Sequence, residues 1–419
     1  MDNPVRAFIL PSMGSYDVII TGGSLNGGSL ALALAQSGLT VAVIDGLRDA
    51  DQTVADFDGR SYAVALSSVR MLGALGLWPH IKDDAQPMFD IKVSDGRVGM
   101  GPSPMTLHFD HREMGEGPMG HMVEDRHLRA ALLKALSSTD GITRFTGARV
   151  VGQKVKAGSA SVSLDGGETL TGRLLVGADG RQSGTARRAG IGRRVRDYGQ
   201  TSLVCAIGHE LPHNGVAHQL FLPPGPLAIL PLKDNRSSIV WTEDQDQARA
   251  IQSLDDVGYL EVLRPRFGDF LGDIHIAGAR YTYPLNLTLA NRFAVSRVAL
   301  VGDAARGVHP IAGQGLNAGL RDVAALAEVV VEASRRGEDI GRADILDRYA
   351  RWRRFDTATL ACATDGFNRL FSNDNPILRA GRDLGLGVVN ALPKLRKSFM
   401  REAAGLTGDL PRLLRGQSI

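Results

Sequence analysis

A strand–turn–helix–strand pattern near the start of the chain constrains the fold most. An apolar strand at residues 17–21 leads into the turn GGSLNG at 22–27, and a helical pattern follows over 28–37. A second strand at 40–44 is followed by Asp45. Two parallel strands in one sheet need a crossover of this length, so the pattern predicts a βαβ unit and a parallel sheet.

The glycines of this turn have the spacing of a dinucleotide-binding motif. A pyrophosphate requires a tight turn, close backbone approach and close helix–strand packing, and glycine suits each position. Gly22 and Gly27 hold the first and third positions, Gly23 lies between them, and Ser24 replaces the middle glycine. The Ser24 hydroxyl can donate to a phosphate oxygen, and Asp45 is placed to accept from ribose hydroxyls. The turn therefore predicts a dinucleotide site, with a plain glycine-rich turn as the alternative.

A second motif follows the apolar strand at residues 174–176, where the chain reads Gly177-Ala178-Asp179-Gly180. Asp-Gly dipeptides are common in exposed turns, so this motif has two interpretations. The first is an ordinary turn. The second is that Asp179 contributes to a ligand site at the carboxyl end of a parallel strand.

The third motif lies at 298–322, where a strand ends on Gly302-Asp303 and a glycine-punctuated loop leads into a helical pattern that begins at Leu316. Such a loop exposes backbone N–H groups at a helix N-terminus, which suits electron-rich ligand oxygens. The candidate ligand-contacting residues of the loop and first helical turn are Pro310, Gly313, Gly315, Leu316 and Asn317.

The remaining pattern predicts an α/β protein with a second unit. Alternating apolar and polar residues over 195–289 predict an antiparallel sheet inserted between halves of the α/β domain, and the sequence beyond 323 is helical in character. We expect a discontinuous dinucleotide-binding domain, a substrate domain and a C-terminal helical region. Their expected ranges are 13–87, 120–190 and 290–350 for the first, 88–119 and 191–289 for the second, and 351–419 for the third.

Bulk composition excludes several classes of protein. The net charge is +3, with 48 basic and 45 acidic residues among 419, so no overall field favours nucleic acid. The two cysteines, Cys205 and Cys362, lack CxxC spacing, which argues against a cysteine metal site or a disulfide framework. The sequence contains no long uninterrupted apolar run and no signal-peptide pattern at its start, so we expect a cytoplasmic protein and no metal site.

Taken in order, the three motifs resemble those of the class A FAD-dependent aromatic monooxygenases, which have the hydroxybenzoate-hydroxylase-like fold. The resemblance is closer to the ubiquinone-biosynthesis hydroxylases of the UbiH, UbiF and VisC type. The stretches that carry it cover much of the chain, at 58–78, 225–242, 300–329 and 367–393. It implies a Rossmann-like (GR2-type) FAD-binding domain with an inserted, mainly antiparallel substrate sheet.

By this resemblance, FAD is the cofactor and NAD(P)H its reductant. The first motif holds the ADP part of FAD, Asp303 holds the ribityl chain, and Arg60 and Arg126 contact the cofactor or are structural arginines. Residues 310–317 face the isoalloxazine, and O2 reacts as a flavin C4a-hydroperoxide. Ser24, where glycine is usual, and Arg306, where histidine is common, depart from the family pattern.

The resemblance implies hydroxylation of the ring of a polyprenylated phenol in ubiquinone biosynthesis. His218, Tyr281 and His309 are candidate bases, and the sequence assigns none of them. The arginine-rich helices at 347–403 form either a solvated face or a patch for a biosynthetic complex or the inner membrane. Two other functions stay open: hydroxylation of a soluble aromatic metabolite, and a non-catalytic FAD-binding subunit.

Overall fold

A mixed sheet with a parallel centre forms the base of the molecule. The computed structural model describes residues 15–52, 56–99, 101–103, 106–307, 314–354, 387 and 389–419. Within these ranges the sheet has eight strands, five of them neighbours in the parallel order β9-β2-β1-β12-β20. The strands are β1 Ser15–Thr21, β2 Val41–Asp45, β9 Ile142–Thr146, β10 Val150–Val155, β11 Ala160–Leu164, β12 Thr169–Gly177, β19 Ala294–Val295 and β20 Val298–Leu300.

Helices cover this sheet and bury the largest apolar core. Helix α1 has the sequence LNGGSLALALA, whose small and apolar side chains are buried along most of its length between the sheet and its neighbours. It packs against α4 and α8. The labelled helices are α1 Leu25–Ala35, α2 Asp49–Gln52, α3 Leu66–Ala74, α4 Asp125–Ser138, α5 Gly184–Arg188, α6 Gln245–Gln252, α7 Asp256–Phe267 and α8 Gln314–Arg335.

A second, largely antiparallel sheet of ten strands in the described ranges lies beside the first. Its order is β21-β18-β13-β16-β15-β14-β5-β6, with β17 on β13 and β7 on β5. The strands are β5 Asp90–Arg97, β6 Gly101–Pro102, β7 Leu107–Asp110, β13 Arg193–His209, β14 Val216–Leu222, β15 Gly225–Leu232, β16 Arg236–Asp244, β17 Ile274–Ile276, β18 Tyr281–Ala290 and β21 Arg306–Gly307. Helices α6 and α7 cover a separate core on this sheet, centred on Trp241 and Tyr259.

A small antiparallel sheet and the C-terminal segment connect these two parts. The small sheet consists of β3 Ser61–Ala65, β8 Gly120–Glu124 and β4 Gln86–Met88. Beyond α8, residues 343–354 and Pro393–Ala403 are helical, and the last described helical turn is the 3₁₀ helix Arg412–Arg415. The end of the chain packs back on α8, because Arg321 donates to the carbonyl oxygens of Gly405 and Thr407.

The predicted fold class is confirmed: the βαβ unit and the inserted antiparallel sheet are both present. Two helices begin earlier than the sequence pattern indicated. Helix α1 begins at Leu25 rather than 28, and α8 begins at Gln314 rather than 316. The domain boundaries stay a prediction. In the described part of the chain, no helix is long and apolar enough to cross a bilayer.

Candidate functional site

Strand register brings the three sequence motifs to the same edge of the first sheet. Thr21 at the end of β1 lies opposite Ile44 of β2 and Gly177 of β12, and Gly177 lies opposite Leu300 of β20. The turns that follow these strands therefore leave the sheet side by side. Ligands of parallel α/β sheets bind at this carboxyl edge.

The first turn is packed too closely for any side chain at two of its glycines. Gly22 has a φ of +93°, and a Cβ there would lie 2.4 Å from the carbonyl oxygen of Ala178 in the second motif. A Cβ at Gly27 would lie 1.8 Å from the carbonyl oxygen of Gly22. The backbone itself thus forms a tight turn in front of helix α1, which is the arrangement that a pyrophosphate requires.

Asp45 contacts this turn from the end of β2, and Ser24 lies within it. The N–H of Gly23 donates to Asp45 Oδ2 at 2.7 Å, and the N–H of Leu47 donates to Asp45 Oδ1 at 2.8 Å. These bonds orient the carboxylate at the end of β2. Ser24 is the N-cap residue of α1, and its side chain makes no capping hydrogen bond in the described structure. Its hydroxyl is therefore not committed to the helix.

Asn26, within the same turn, has a buried acceptor with no partner among the described residues. Its Oδ1 is shielded from solvent and accepts no hydrogen bond. The side chain fills the space between α1, the third motif and α8, since a Cβ at Gly302 or Gly319 would lie about 2.4–2.5 Å from it. Buried polar atoms are almost always satisfied, so this oxygen is an exception among the described residues, and it lies where the first motif packs on α8.

The Asp179 carboxylate is held by helix α5. Its Oδ1 accepts from Ser183 Oγ at 2.5 Å, and its Oδ2 accepts from the backbone N–H and the hydroxyl of Thr185, each at 2.9 Å. The motif contributes to the first turn through the backbone of Ala178, which abuts Gly22. Asp179 therefore has a structural role, and its contact with a cofactor stays a prediction.

Asp303 follows strand β20, and two arginine side chains donate hydrogen bonds to it. Gly302 has a φ of +59°, and its N–H donates to Oδ2 of the buried Asp322 at 3.1 Å. Arg181 Nε donates to Asp303 Oδ2 at 3.1 Å, while Arg193 Nη2 donates to the Asp303 carbonyl oxygen at 3.1 Å. Burial lowers the pKa of Arg193, and the charges of nearby aspartates partly offset this.

The N-terminus of helix α8 carries the rest of the third motif. Among the described residues, no atom lies within 4 Å of the position that a Cβ would take at Gly315. The Asn317 side chain accepts from the N–H of Ala65 at 2.9 Å and donates to the carbonyl oxygen of Ala63 at 2.8 Å. It thereby fastens α8 to β3. Leu316, beside it, is half-buried. Pro310 and Gly313, with His309, lie outside the described residues.

Arg60 and Arg126 both have protein partners. Arg60 bonds to Asp58 at 2.6–2.7 Å and lies 3.4 Å from Asp125, and the hydrogen bond with Asp58 is the main reason that its pKa is raised. Arg126 Nε donates to Glu124 Oε2 at 2.7 Å. Both side chains keep about a third of their surface exposed, at 34% and 29%. Contact of either residue with the cofactor stays a prediction.

Neither of the two described candidates, His218 and Tyr281, lies in surroundings that would make it an effective base at pH 7. His218 lies on β14 with its ring 4.6 Å from that of Phe270, and burial lowers its pKa to about 4. It is therefore neutral and weakly basic at pH 7. Burial is also the main reason that the pKa of Tyr281 is raised, so the phenol stays protonated. The catalytic base remains unassigned.

Sequence reasoning missed three residues of this edge: Asn26, Arg181 and Asp322. Asn26 lies inside the GGSLNG turn, and Asp322 follows Arg321 as the first acidic residue of helix α8. Those two positions were the available signals. Arg181 carries no local signal, because only the fold brings it to Asp303.

These features define a class: a dinucleotide-binding α/β protein with an inserted antiparallel sheet. The family model described as FAD binding domain matches residues 15–363. The solved structure of p-nitrophenol 4-monooxygenase PnpA from Pseudomonas putida DLL-E4 superposes with a TM-score of 0.78 at 18% identity, over 94% of this chain and 99% of that one. At this identity the superposition shows the fold alone.

Curated relatives match over nearly the whole chain. Ubiquinone hydroxylase UbiL of Rhodospirillum rubrum is 45% identical over 96% of this chain and 92% of its own length. The 3-demethoxyubiquinol 3-hydroxylase of Escherichia coli is 33% identical over 93% of this chain and 98% of its own length. The chain therefore belongs to the FAD-dependent monooxygenase family that includes the ubiquinone-biosynthesis hydroxylases, and its cofactor is FAD.

Proposed function

We propose that this enzyme hydroxylates the aromatic ring of a polyprenylated phenol in ubiquinone biosynthesis, using FAD, O2 and NAD(P)H. The observation that carries the proposal is the full-length similarity to UbiL, at 45% identity over 96% of the chain. The match to the FAD binding domain family, over residues 15–363, spans the residues that form the sheet edge described above. Because 3-demethoxyubiquinol 3-hydroxylase is also similar from end to end, a ring hydroxylation is the reaction best supported.

Taken in chain order, the residues of this sheet edge would bind successive parts of FAD, from the ADP part to the flavin ring. The N–H groups of the Gly22–Gly27 turn and of the first turn of α1 would bind the pyrophosphate, and Asp45 would accept from the ribose hydroxyls. Asp303 would bind the ribityl chain. The backbone N–H groups of Gly315 and Leu316 would lie at the flavin ring, where the positive end of α8 stabilises negative charge.

When bound, FAD accepts a hydride from the reductant and activates O2, which is chemistry that the side chains cannot supply. The protein would position the phenol against the flavin and exclude water. A groove beside Asp303 and Asp179, lined by Arg181, Arg187 and Arg193, supports transient binding of the phosphates of NAD(P)H.

A polyprenyl tail dissolves in the hydrocarbon of a bilayer. We therefore infer that the enzyme works in the cytoplasm at the inner-membrane surface, alone or in a ubiquinone-biosynthesis complex. From that position it would reach the ring of a substrate whose tail stays in the lipid.

The proposal can be tested on purified protein. Reconstitution with FAD should give a yellow flavin spectrum, and a polyprenylated phenol in detergent micelles should stimulate NAD(P)H oxidation. The product should be heavier by one oxygen atom, with ¹⁸O incorporated from ¹⁸O2. Deleting the gene in its host should cause a precursor lacking one ring hydroxyl to accumulate.

Other outcomes would support a different function. If a short-chain soluble phenol is hydroxylated at least as efficiently as its polyprenylated form, the substrate is a soluble aromatic metabolite. If the protein binds FAD but no phenol stimulates NAD(P)H oxidation, a non-catalytic subunit is the better interpretation. Asp303→Asn is the matched site variant, because it keeps the shape of the side chain and removes its charge.

A further inference from the structure

Two adjacent carboxylates, Glu124 and Asp125, lie beside the sheet edge that we propose binds FAD. They are the N-cap and first residues of helix α4, which precedes β9, and β9 is parallel to β2. Helix α4 therefore begins at the carboxyl edge of the first sheet. Leu25 of α1, Leu128 of α4 and Leu316 of α8 line one small apolar space, so the first turns of these three helices lie together.

Glu124 is a buried carboxylate shared by two arginines. Its side chain is 5% exposed, and its Oε2 accepts from Arg126 Nε at 2.7 Å. Its Oε1 lies 2.8 Å from Nη2 of Arg236, the first residue of β16 in the second sheet. The Arg236 guanidinium also lies over the Phe57 ring, 4.7 Å from its centroid. Glu124 thus fixes Arg126 relative to a strand of the second sheet.

Asp125 is arranged in the same way around Arg60. It is 2% exposed, and its Oδ2 accepts from Arg129 Nε at 2.6 Å and lies 3.4 Å from Arg60 Nη2. The Asp125 N–H donates to the Arg60 carbonyl oxygen at 2.9 Å, which joins the two backbones. Asp58 accepts from Arg60 Nε. In the described structure, all carboxylate contacts of Arg60 are through Nε and Nη2.

The two arginines of each carboxylate differ in exposure. Arg129 and Arg236 are 16% and 19% exposed, so they anchor the carboxylates inside the protein. Arg60 and Arg126 keep about a third of their surface exposed at the sheet edge. An arginine that is already oriented loses less conformational freedom when it binds an anion, so the carboxylates can raise its affinity for phosphate.

We propose that Glu124 and Asp125 are positioning residues for FAD. Glu124 holds Arg126, and Asp125 holds Arg60, in the orientation that binds the phosphates of the cofactor. Each carboxylate acts through its arginine and does not touch FAD. The inference rests on the proposed function only in taking FAD as the ligand, and it does not depend on which phenol is hydroxylated.

The test is a double-mutant cycle on FAD affinity, measured with the whole chain after flavin removal and without a phenol. Quenching of flavin fluorescence gives the Kd. We expect Asp125→Asn and Arg60→Gln each to raise the Kd about tenfold. The double variant should bind FAD within about twofold of Arg60→Gln alone, because the carboxylate acts through that guanidinium. Glu124→Gln and Arg126→Gln should show the same coupling.

The matched control is Glu243→Gln. Glu243 is also 2% exposed and pairs with Arg266 at 2.9 Å, but it lies in the core of the second sheet. This variant should lower the thermal unfolding temperature and leave the Kd for FAD within about twofold of wild type. Thermal unfolding of each flavin-free protein therefore reports stability separately from affinity.

Three outcomes would overturn the proposal. In the first, Asp125→Asn lowers stability as Glu243→Gln does but leaves the Kd unchanged. In the second, the effects of Asp125→Asn and Arg60→Gln on the Kd simply add, so the carboxylate does not act through the guanidinium. The third is an unchanged Kd in Arg60→Gln alone, and this outcome decides the matter even if Asp125→Asn does not fold.

An assay at saturating FAD separates this inference from the proposed function. Asp125→Asn should then regain the NAD(P)H oxidation that a polyprenylated phenol stimulates in wild type. If no phenol stimulates wild type but the coupling between Asp125 and Arg60 is present, the proposed function fails and the positioning role stands. An unchanged Kd in an active Asp125→Asn enzyme removes the positioning role alone.

Discussion

Asp322 and Arg306 form an ion pair in the interior of the protein, with 3.0 Å between Asp322 Oδ1 and Arg306 Nη1. The two side chains are 0% and 2% exposed. The same carboxylate oxygen accepts from Arg353 Nε at 2.8 Å, and the other accepts from the Gly302 N–H. Asp322 therefore links helix α8, the helix at 343–354 and the turn that carries Asp303. This gives a physical account of Arg306, the departure from the family pattern that the sequence left unexplained.

The first prediction concerns Asp322→Ala. Removing one partner from a buried ion pair leaves uncompensated charge, so we expect the free energy of unfolding to fall by about 3–5 kcal/mol. The Gly302 turn also loses its acceptor, which should weaken FAD binding. Urea unfolding and flavin titration measure the two effects. Asp344→Ala, which removes the exposed partner of Arg342, should change stability by less than about 1 kcal/mol. Similar losses in both variants would contradict this account.

The second prediction concerns the glycine turn. A Cβ at Gly27 would lie 1.8 Å from the Gly22 carbonyl oxygen, so Gly27→Ala must displace helix α1 or the turn. We expect a loss of about 3 kcal/mol in stability and a purified protein without bound flavin. Gly73→Ala is the control: no described atom lies within 4 Å of a Cβ at this helical glycine, so the substitution should be neutral or slightly stabilising. Flavin absorbance and thermal unfolding distinguish the two.

The parallel sheet and the glycine turn could be predicted because their signals are local. Gly22 and Gly27 are required by backbone geometry within one βαβ unit, and the apolar strands that flank them are short and continuous. The inserted antiparallel sheet was also predictable from its alternating residues. Two helix starts differ from prediction by two or three residues, since capping positions depend on the fold around them.

The contacts between motifs could not be predicted, because they join residues far apart in sequence. Asp179 looks like a free turn carboxylate until α5 is seen to fold back and donate three hydrogen bonds to it. The unsatisfied oxygen of Asn26 depends on Gly302 and Gly319, about 280 residues away along the chain. The sequence around each of these residues gives no sign of its distant contact partners.

The third prediction tests the link between α8 and β3. Asn317→Ala leaves the Ala65 N–H without its side-chain acceptor and the Ala63 carbonyl oxygen without its side-chain donor, so stability should fall by about 2–4 kcal/mol. Because β3 follows Arg60 directly, FAD affinity should fall as well. Asn291→Ala removes an exposed amide and should change stability by less than about 0.5 kcal/mol. Unchanged flavin affinity in Asn317→Ala would separate this link from the cofactor site.

The fourth prediction concerns pH. Burial lowers the pKa of His218 from 6.5 to about 4, so between these values the unfolded chain takes up a proton that the folded chain does not. Stability should therefore be fully present above pH 6.5 and be lost progressively as the pH falls toward 4. His218→Phe retains an aromatic ring against Phe270 and cannot titrate.

Urea unfolding at pH 7 and pH 5 measures this difference. Wild type should lose about 1–2 kcal/mol more than His218→Phe between the two values. His80→Asn, at an exposed histidine, should behave as wild type. If wild type and His218→Phe lose the same stability, the imidazole is not buried as a neutral group, and the arrangement of β14 against Phe270 is different in solution.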